Sequence, residues 1–193
     1  YNNLKAFEVL PDNRVVWMSE VDGYRHLYLY NWQNGQQIQQ LTSGNWDVTD
    51  YYGTDIVKKT FYYQSAESSP LERKVYSVDL KGRKKCLTTD AGTHIALFNS
   101  TCSYFIDNFS SLQQPTNSIV FNASGIKIRT IEDNASLKFE VEELKLPQKE
   151  FFSFKTTDGV MLNGWMLKPS NFEQGEKYPV LMVQYSGHKC KFF

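Results

Sequence analysis

The residues that come closest to a catalytic pattern lie near the C-terminal end of the sequence. An apolar run, Val180–Val183, follows Pro179 and leads into Tyr185-Ser186-Gly187. Its length and β-branched residues predict a strand that is buried on both faces, as in a sheet covered by helices. A tyrosine followed by a small residue and a glycine at the carboxyl edge of such a strand occupies the position where α/β proteins place their chemistry.

A serine nucleophile in such a fold would sit on a sharp strand-to-helix turn with the pattern G-x-S-x-G. The sequence contains no such pattern, because Ser186-Gly187 lacks the upstream glycine and Ser43-Gly44 falls in a turn between strand-like runs. We therefore expect the 193 residues to contain no complete catalytic triad.

The other side chains that could do chemistry are isolated from one another. Glu20 and Asp22 flank a turn, where solvated carboxylates are far more common than an acid/base pair. His26 and His94 each lie in an alternating segment with no second histidine nearby, which favours hydrogen-bonded structural histidines over ligands or bases. The basic run Arg83-Lys84-Lys85 adjoins a turn and indicates a solvated hairpin rather than a nucleic-acid patch.

The three cysteines, Cys86, Cys102 and Cys190, give no metal-binding pattern. They include no CxxC pair and have no histidine at ligand spacing, so we predict no metal site and no complete disulfide framework. Cys86 and Cys102 either pair with each other or remain buried or incidental thiols, and the second interpretation is favoured. No cofactor-binding motif is present either, so we predict no cofactor.

Composition narrows the class of protein and of partner. Lys plus Arg and Asp plus Glu number 21 each, and this balance argues against nucleic acid or an anionic membrane as the main partner. Aromatic residues make up 15% of the chain, which fits a β-rich protein. There is no apolar run of about 18 residues that could span a membrane. Because the first residue is Tyr1, we expect the chain to be a piece of a longer one.

Turn residues divide the first two thirds of the sequence into short strand-like runs. The predicted strands are Leu4–Val9, Arg14–Ser19, Tyr24–Tyr30, Gln36–Leu41, Trp46–Tyr51, Thr60–Gln64, Lys74–Val78, Arg83–Leu87, His94–Phe98, Ser103–Asp107, Ser118–Asn122 and Ile126–Ile131. The hairpin glycines Gly35, Gly82 and Gly125 recur at intervals of 47 and 43 residues. Four short strands in about 40–50 residues is the period of a β-propeller blade. The alternative is an ordinary β-sandwich with chance internal similarity.

The repeat accounts for about three blades, whereas propellers close with about four to eight. Three blades alone would leave apolar faces and sheet edges exposed. We therefore expect residues 1–135 to be a partial propeller, and we expect its open faces to self-associate.

The following segment changes character. Residues 136–149 predict a linker with a short helix, which Asp133 or Asn134 would cap and Pro147 would end. Leu137, Val141 and Leu144 fall on one face of this helix.

Residues 150–193 read as the truncated start of a second domain. Thr157-Asp158-Gly159 is a strong hairpin signal between the runs Glu150–Lys155 and Val160–Lys168. The apolar run described first follows this hairpin. The predicted fold is thus mainly β, with about three four-stranded propeller blades followed by the first strands of an α/β-hydrolase domain.

Several linked segments resemble one family. The segments similar to its later propeller blades are Ser19–Tyr30, Leu41–Thr49, Phe61–Leu80 and Tyr104–Ser111. Phe151–Phe172 and Lys177–Gly187 resemble the start of its α/β-hydrolase domain. The family is dipeptidyl peptidase IV, of the prolyl oligopeptidase group, and the resemblance is closer to its bacterial, Bacteroides-type members. It covers about Leu4 to Gly187, nearly the whole chain.

The resemblance implies a serine exopeptidase that releases N-terminal dipeptides with Pro, or less readily Ala, in second position. It implies an eight-bladed propeller over the hydrolase domain, a Ser-Asp-His triad in that domain, a homodimer, and a periplasmic or cell-surface location in a bacterium. The substrate-binding Glu pair of the family belongs to an earlier propeller segment, so we predict no substrate-binding residue here. We expect this piece alone to be inactive.

One functional position carries over by the resemblance. In the family, the Tyr of the segment matching Tyr185-Ser186-Gly187 donates its hydroxyl to the oxyanion of the tetrahedral intermediate, which implies this role for Tyr185. By the residues alone, an aromatic side chain filling a strand end is favoured. The tail His188–Phe193 departs from the family, whose members continue with Pro and a short polar loop.

Two other functions fit parts of the sequence. A propeller-like module that binds peptides or proteins without chemistry would explain the strand repeat, but it has no need of Phe151–Gly187. Another prolyl oligopeptidase relative, such as an acylaminoacyl peptidase, is a third possibility. The segments Asp22–Tyr30 and Tyr104–Ser110 fit dipeptidyl peptidase IV better.

Overall fold

The structure is a computed structural model that describes residues 7–111, 114–144, 147 and 149–183. Its first part consists of twelve short strands. They are β1 Phe7–Val9, β2 Arg14–Ser19, β3 His26–Asn31, β4 Gln37–Gln40, β5 Val48–Asp55, β6 Thr60–Ser65, β7 Lys74–Asp79, β8 Lys84–Cys86, β9 Thr93–Phe98, β10 Tyr104–Ser110, β11 Asn117–Asn122 and β12 Lys127–Glu132. Each one falls on a strand predicted from the sequence.

The twelve strands form three four-stranded antiparallel sheets in which every strand pairs with its neighbours in the chain. We call these sheets blade 1 (β1–β4), blade 2 (β5–β8) and blade 3 (β9–β12). The hairpin turns between the third and fourth strands contain Gly35 and Gly82, and Gly125 stands between β11 and β12. All three glycines have φ between 69° and 77°, a conformation that costs little only for glycine.

The core lies between the blades. Phe61 and Tyr63 of β6 point toward blade 1 and join one buried cluster with Leu29. The residue between them, Tyr62, points to the other side and packs against Phe105 of blade 3. Because side chains alternate along a strand, blade 2 buries both of its faces, which explains its nearly continuous aromatic and apolar sequence.

The outer blades are covered on one face only. On blade 1, Phe7 and Trp17 stack on each other at 5.9 Å between ring centroids and are about half exposed. On blade 3, Ile95 and Leu97 are exposed, while Ala96 between them is buried. The strands of the outer blades therefore carry apolar residues on both faces of the sheet, but only the face that meets blade 2 is buried.

Several strand boundaries differ from the sequence prediction, and β10, for example, ends at Ser110 rather than Asp107. β5 runs to Asp55 rather than Tyr51, because irregularities at Val48/Asp50 and Tyr51/Gly53 break the alternation from which its end was predicted. β8 contains only three residues, and Leu87 leaves the strand to pack in the core between blades 2 and 3.

The predicted linker helix is present as α1, Ala135–Glu143, but it buries no residue. Its N-cap residue is Asn134, with φ 52° and no side-chain capping bond. Leu137 and Leu144 are exposed, so the apolar face predicted for this helix has no partner among the described residues.

The segment after α1 forms one hairpin. Strands β13 Lys149–Lys155 and β14 Met161–Leu167 pair in register from Lys149–Leu167 to Lys155–Met161. The predicted turn is confirmed, since Gly159 (φ 85°) donates its N–H to the Thr156 carbonyl at 3.0 Å.

The prediction of a doubly buried strand at Val180–Val183 is wrong for the structure described. These four residues lie outside any strand, and Val180 and Leu181 are 88% and 90% exposed. An apolar run becomes a central strand only when neighbouring strands and covering helices surround it, and no described element packs on this one.

Candidate functional site

Tyr185, the one residue for which the sequence predicts a catalytic role, lies outside the described residues, as does Cys190. The polar groups that the structure does place belong mainly to the blades and to the junctions between them.

The turn carboxylates form ordinary surface interactions. Glu20 accepts a hydrogen bond from the Arg25 guanidinium at 2.6 Å. Asp22 accepts one from the side-chain amide of Gln40 at 2.6 Å. The two carboxylates therefore hold separate partners, as expected for solvated turn residues rather than for an acid/base pair.

The basic run at the outer edge of blade 2 is engaged within the protein. Arg83 pairs with Asp79 across the hairpin turn at 2.6 Å. Lys84 forms an ion pair with Glu67, and Lys85 donates to the Ser124 carbonyl of blade 3 at 2.9 Å. These contacts agree with the predicted hairpin, and the three basic side chains do not form a free basic patch.

His26 is fully buried at the junction of blades 1 and 2. Its Nε2 lies 2.9 Å from the Gly44 carbonyl and its Nδ1 lies 3.1 Å from Thr42 Oγ1. Because a carbonyl can only accept, Nε2 carries a hydrogen and donates it to Gly44, while Nδ1 shares a hydrogen bond with the Thr42 hydroxyl. Trp46 packs its ring edge-on against His26 at 4.9 Å. His26 is thus a hydrogen-bonded structural histidine, as predicted.

His94 occupies the junction of blades 2 and 3 and has a different partner set. Its Nδ1 lies 2.7 Å from Oδ2 of Asp107, and its Nε2 lies 3.0 Å from the Asp90 carbonyl. Its backbone also joins the two blades, because Gln64 donates to the His94 carbonyl at 2.6 Å. Asp107 is as buried as the histidine.

Sequence reasoning missed the carboxylate partner of His94. In the sheet, Asp107 pairs with Ala96 while Phe109 pairs with His94, so the two side chains are diagonal neighbours on one face. The only signal in the sequence for such a partner was an Asp within the alternating run Tyr104–Ser110, at a position that the structure shows to be buried. The strand register that brings it to His94 is not visible in one sequence.

A second polar cluster links β1 to β5. The Tyr51 hydroxyl donates to the Glu8 carboxylate, and Thr54 donates to the same carboxylate oxygen at 2.8 Å. Burial and then the negative charge of Glu8 raise the pKa of the Tyr51 phenol. The phenol therefore stays protonated and fixes the first strand of blade 1 to the first strand of blade 2.

The described cysteines are free thiols. Cys86 is exposed and Cys102 is buried. Burial, followed by the charges of Glu8 and Asp55, raises the pKa of Cys102 to about 11. The pairing of Cys86 with Cys102 is therefore not formed, in line with the favoured interpretation of the sequence.

Among the residues that the structure describes, no group of three or more His, Cys, Asp or Glu side chains is placed to hold a metal ion. Over the same ranges, no helix is both long enough and apolar enough to cross a membrane.

Side-by-side meanders of four antiparallel strands define a mainly β protein with propeller-like blades. Residues 1–116 match the family model described as "Dipeptidyl peptidase IV (DPP IV) N-terminal region". This match covers more than half of the chain, so the chain belongs to the dipeptidyl peptidase IV family.

Similar proteins agree with this assignment. The fold resembles the crystal structure of Porphyromonas gingivalis dipeptidyl peptidase 4 with a TM-score of 0.83 and 41% identity, over 91% of this chain and 25% of that one. A putative dipeptidyl aminopeptidase IV from Bacteroides ovatus shares the fold with a TM-score of 0.73 and 23% identity, over 90% and 27% of the two chains.

Among curated proteins, a probable dipeptidyl peptidase 4 of Trichophyton verrucosum is 32% identical over 174 residues, which is 88% of this chain and 23% of the relative. The dipeptidyl peptidase 4 of Arthroderma otae is 33% identical over the same length. The chain thus spans about a quarter of the length of the relatives it matches.

Proposed function

We propose that this chain is the late-propeller part of a serine exopeptidase that releases N-terminal X-Pro or X-Ala dipeptides. The observation that carries the proposal is the agreement of sequence and fold with a solved dipeptidyl peptidase 4 at 41% identity and a TM-score of 0.83. In this proposal, residues 1–135 contribute propeller blades, 136–149 connect them to the peptidase domain, and 150–193 begin that domain.

The uncovered apolar surfaces support this division. Phe7 and Trp17 on blade 1 and Ile95 and Leu97 on blade 3 lie on the faces that blade 2 does not cover. Further blades on both sides would bury them, as blade 2 buries the opposite faces. The β13–β14 hairpin exposes Phe154 and Trp165, which suits a segment that packs within a hydrolase domain.

In the same proposal, the blades position the substrate channel and the chemistry is done by residues outside them. The polar groups of the described residues are consistent with this division, because His26 and Glu8 are committed to contacts within the junctions between blades. The serine, acid and base of the triad, and the contacts that make the homodimer, would come from other parts of the peptidase.

Tyr185 would supply one hydrogen bond to the oxyanion of the tetrahedral intermediate. A phenol held at the carboxyl edge of a strand is a preorganised donor where negative charge develops. In the intact peptidase, Tyr185→Phe should lower kcat by about 10²- to 10³-fold with a modest change in KM, because the bond forms mainly in the transition state. An unchanged kcat would return Tyr185 to a packing role.

The experiment for the proposed function is a substrate comparison with the intact peptidase that contains this chain. It should hydrolyse a Gly-Pro chromogenic amide, hydrolyse Gly-Ala more slowly, and lose activity with a serine-directed inhibitor. Binding of an X-Pro peptide without any hydrolysis would instead support the alternative of a non-catalytic binding module.

A further inference from the structure

Residues 168–178 form a folded loop directly after β14. Within it, the N–H of Phe172 donates to the Pro169 carbonyl at 3.0 Å. The loop is followed by the apolar run Val180–Val183, which leads in the sequence to Tyr185. The conformation of this loop therefore decides where and in which direction the chain sets out toward the residue with the proposed oxyanion role.

Tyr178 closes the loop at its C-terminal end. Its hydroxyl oxygen accepts the N–H of Glu173 at 2.9 Å, and its ring stacks on Phe172 with 5.2 Å between the centroids. From Lys168 to Val183, all residues are exposed except Lys168 and Tyr178, the first and last residues of the loop. The side chain of Tyr178 is thus folded back onto the loop that precedes it.

Lys168 connects the same loop to the hairpin. Its ammonium group lies 2.6 Å from the Glu150 carboxylate of β13 and 5.1 Å from the centroid of the Phe172 ring. A cation over an aromatic face is an attractive contact. Because Phe172 contacts both Lys168 and Tyr178, a continuous series of side-chain contacts runs from β13 to the end of the loop.

Pro179 extends this restraint by one residue. The proline ring fixes its own φ near about −65°, and it limits the residue before it to extended backbone conformations. With the side chain of Tyr178 held by Glu173 and Phe172, the chain leaves the loop at a defined residue and in a defined direction.

The apolar run that follows has no pattern that would set its own alignment. Val180–Val183 consists of four consecutive apolar residues without alternation. In an extended segment, side chains alternate between two sides, so a shift by one residue turns every side chain to the opposite side. A run that is apolar on both sides does not distinguish these two alignments. The residues that flank the run must do so, and on its N-terminal side these are Tyr178 and Pro179.

We propose that Tyr178 is a positioning residue for Tyr185. By holding the chain seven residues before Tyr185, it sets the alignment of the apolar run and with it the side to which the Tyr185 hydroxyl is directed. Tyr178 itself contacts no substrate and acts only through Tyr185. This inference rests on the proposed function, in which the Tyr185 hydroxyl stabilises the oxyanion.

A double-mutant cycle in the intact peptidase tests the proposal, with a Gly-Pro chromogenic amide as substrate. Tyr178→Phe keeps the ring and removes the hydroxyl, so it should lower kcat about fivefold with KM nearly unchanged. In the Tyr185→Phe background, the same substitution should cause no further loss, because the group that it positions is already absent.

The outcomes separate this inference from the proposed function. If Tyr185→Phe lowers kcat but Tyr178→Phe does not, or if Tyr178→Phe causes the same loss in both backgrounds, the positioning role is wrong and the oxyanion role stands. If Tyr185→Phe itself leaves kcat unchanged, both are wrong.

Tyr30 provides a matched control. It is also a partly buried tyrosine, and its hydroxyl donates to the Gln37 side chain at 3.3 Å in blade 1. Tyr30→Phe should leave kcat unchanged in both backgrounds, whereas Lys168→Met should lower kcat about twofold, only where the Tyr185 hydroxyl is present. Equal losses of kcat from Tyr30→Phe and Tyr178→Phe would indicate a general effect on the fold and would contradict the proposal.

Discussion

Blade 2 and the β13–β14 hairpin are both antiparallel, aromatic-rich β-structure, yet their environments are opposite. Phe61 and Tyr63 in blade 2 are completely buried, while Phe154 and Trp165 in the hairpin are 47% and 41% exposed. The difference lies in the neighbours, because blade 2 has a sheet on each face and the hairpin has no second layer among the described residues. An isolated hairpin contributes little stability, so the blades hold the fold of this chain.

The largest expected contrast comes from truncating one phenylalanine in each region. Phe61→Ala should lower the free energy of unfolding by about 4 kcal/mol, because it removes a fully buried ring and leaves a cavity between blades 1 and 2. Phe154→Ala should change it by less than about 0.5 kcal/mol. Urea unfolding followed by circular dichroism measures both, and equal losses would remove the distinction between the regions.

A contrast between two hairpin glycines sharpens the description of the blade junctions. Gly82 and Gly125 have φ of 75° and 77°, but only a Cβ on Gly125 would meet another blade, at 2.8 Å from the Leu87 carbonyl oxygen. Gly82→Ala should cost about 1 kcal/mol from its backbone conformation, and Gly125→Ala about 3 kcal/mol because a backbone clash is added. The same denaturation assay applies, and similar values for the two variants would contradict the close approach of β11–β12 to blade 2.

The thiols of Cys86 and Cys102 allow burial at the junction of blades 2 and 3 to be tested without any substitution. At pH 8, iodoacetamide should modify Cys86 about 100-fold faster than Cys102, which is enclosed between blades 2 and 3 and has its pKa raised to about 11. Raising the pH toward 11 should speed the reaction of Cys102, because more of it becomes thiolate. Peptide mapping by mass spectrometry gives both rates, and comparable rates at pH 8 in the native chain would show that this junction is open.

Most of the blade architecture could be predicted from the sequence, because the repeat is local. Alternation within each run and the glycine in the turn between the third and fourth strands of each blade identify the strands and their grouping in fours, and Arg14–Ser19 is found with the predicted bounds. Boundaries failed where the alternation itself breaks, as at the irregularities of β5.

The C-terminal part and the junction chemistry were less predictable because both depend on distant partners. Val180–Val183 has the composition of a central strand, but composition cannot supply the strands and helices that would bury it. The sequence pointed to His26 and His94 as structural residues, which the structure confirms. It gave no means of pairing His94 with Asp107, since that contact depends on the register between β9 and β10. Tyr185 stays a prediction.

The central proposal is that this chain is part of a dipeptidyl peptidase whose Ser-Asp-His triad lies elsewhere in the enzyme. The most direct measurement is the hydrolysis of a Gly-Pro chromogenic amide by the purified 193-residue chain, beside the intact peptidase. We predict turnover by the intact peptidase and none by the chain alone. Turnover by the chain alone that a serine-directed inhibitor abolishes would contradict the proposal.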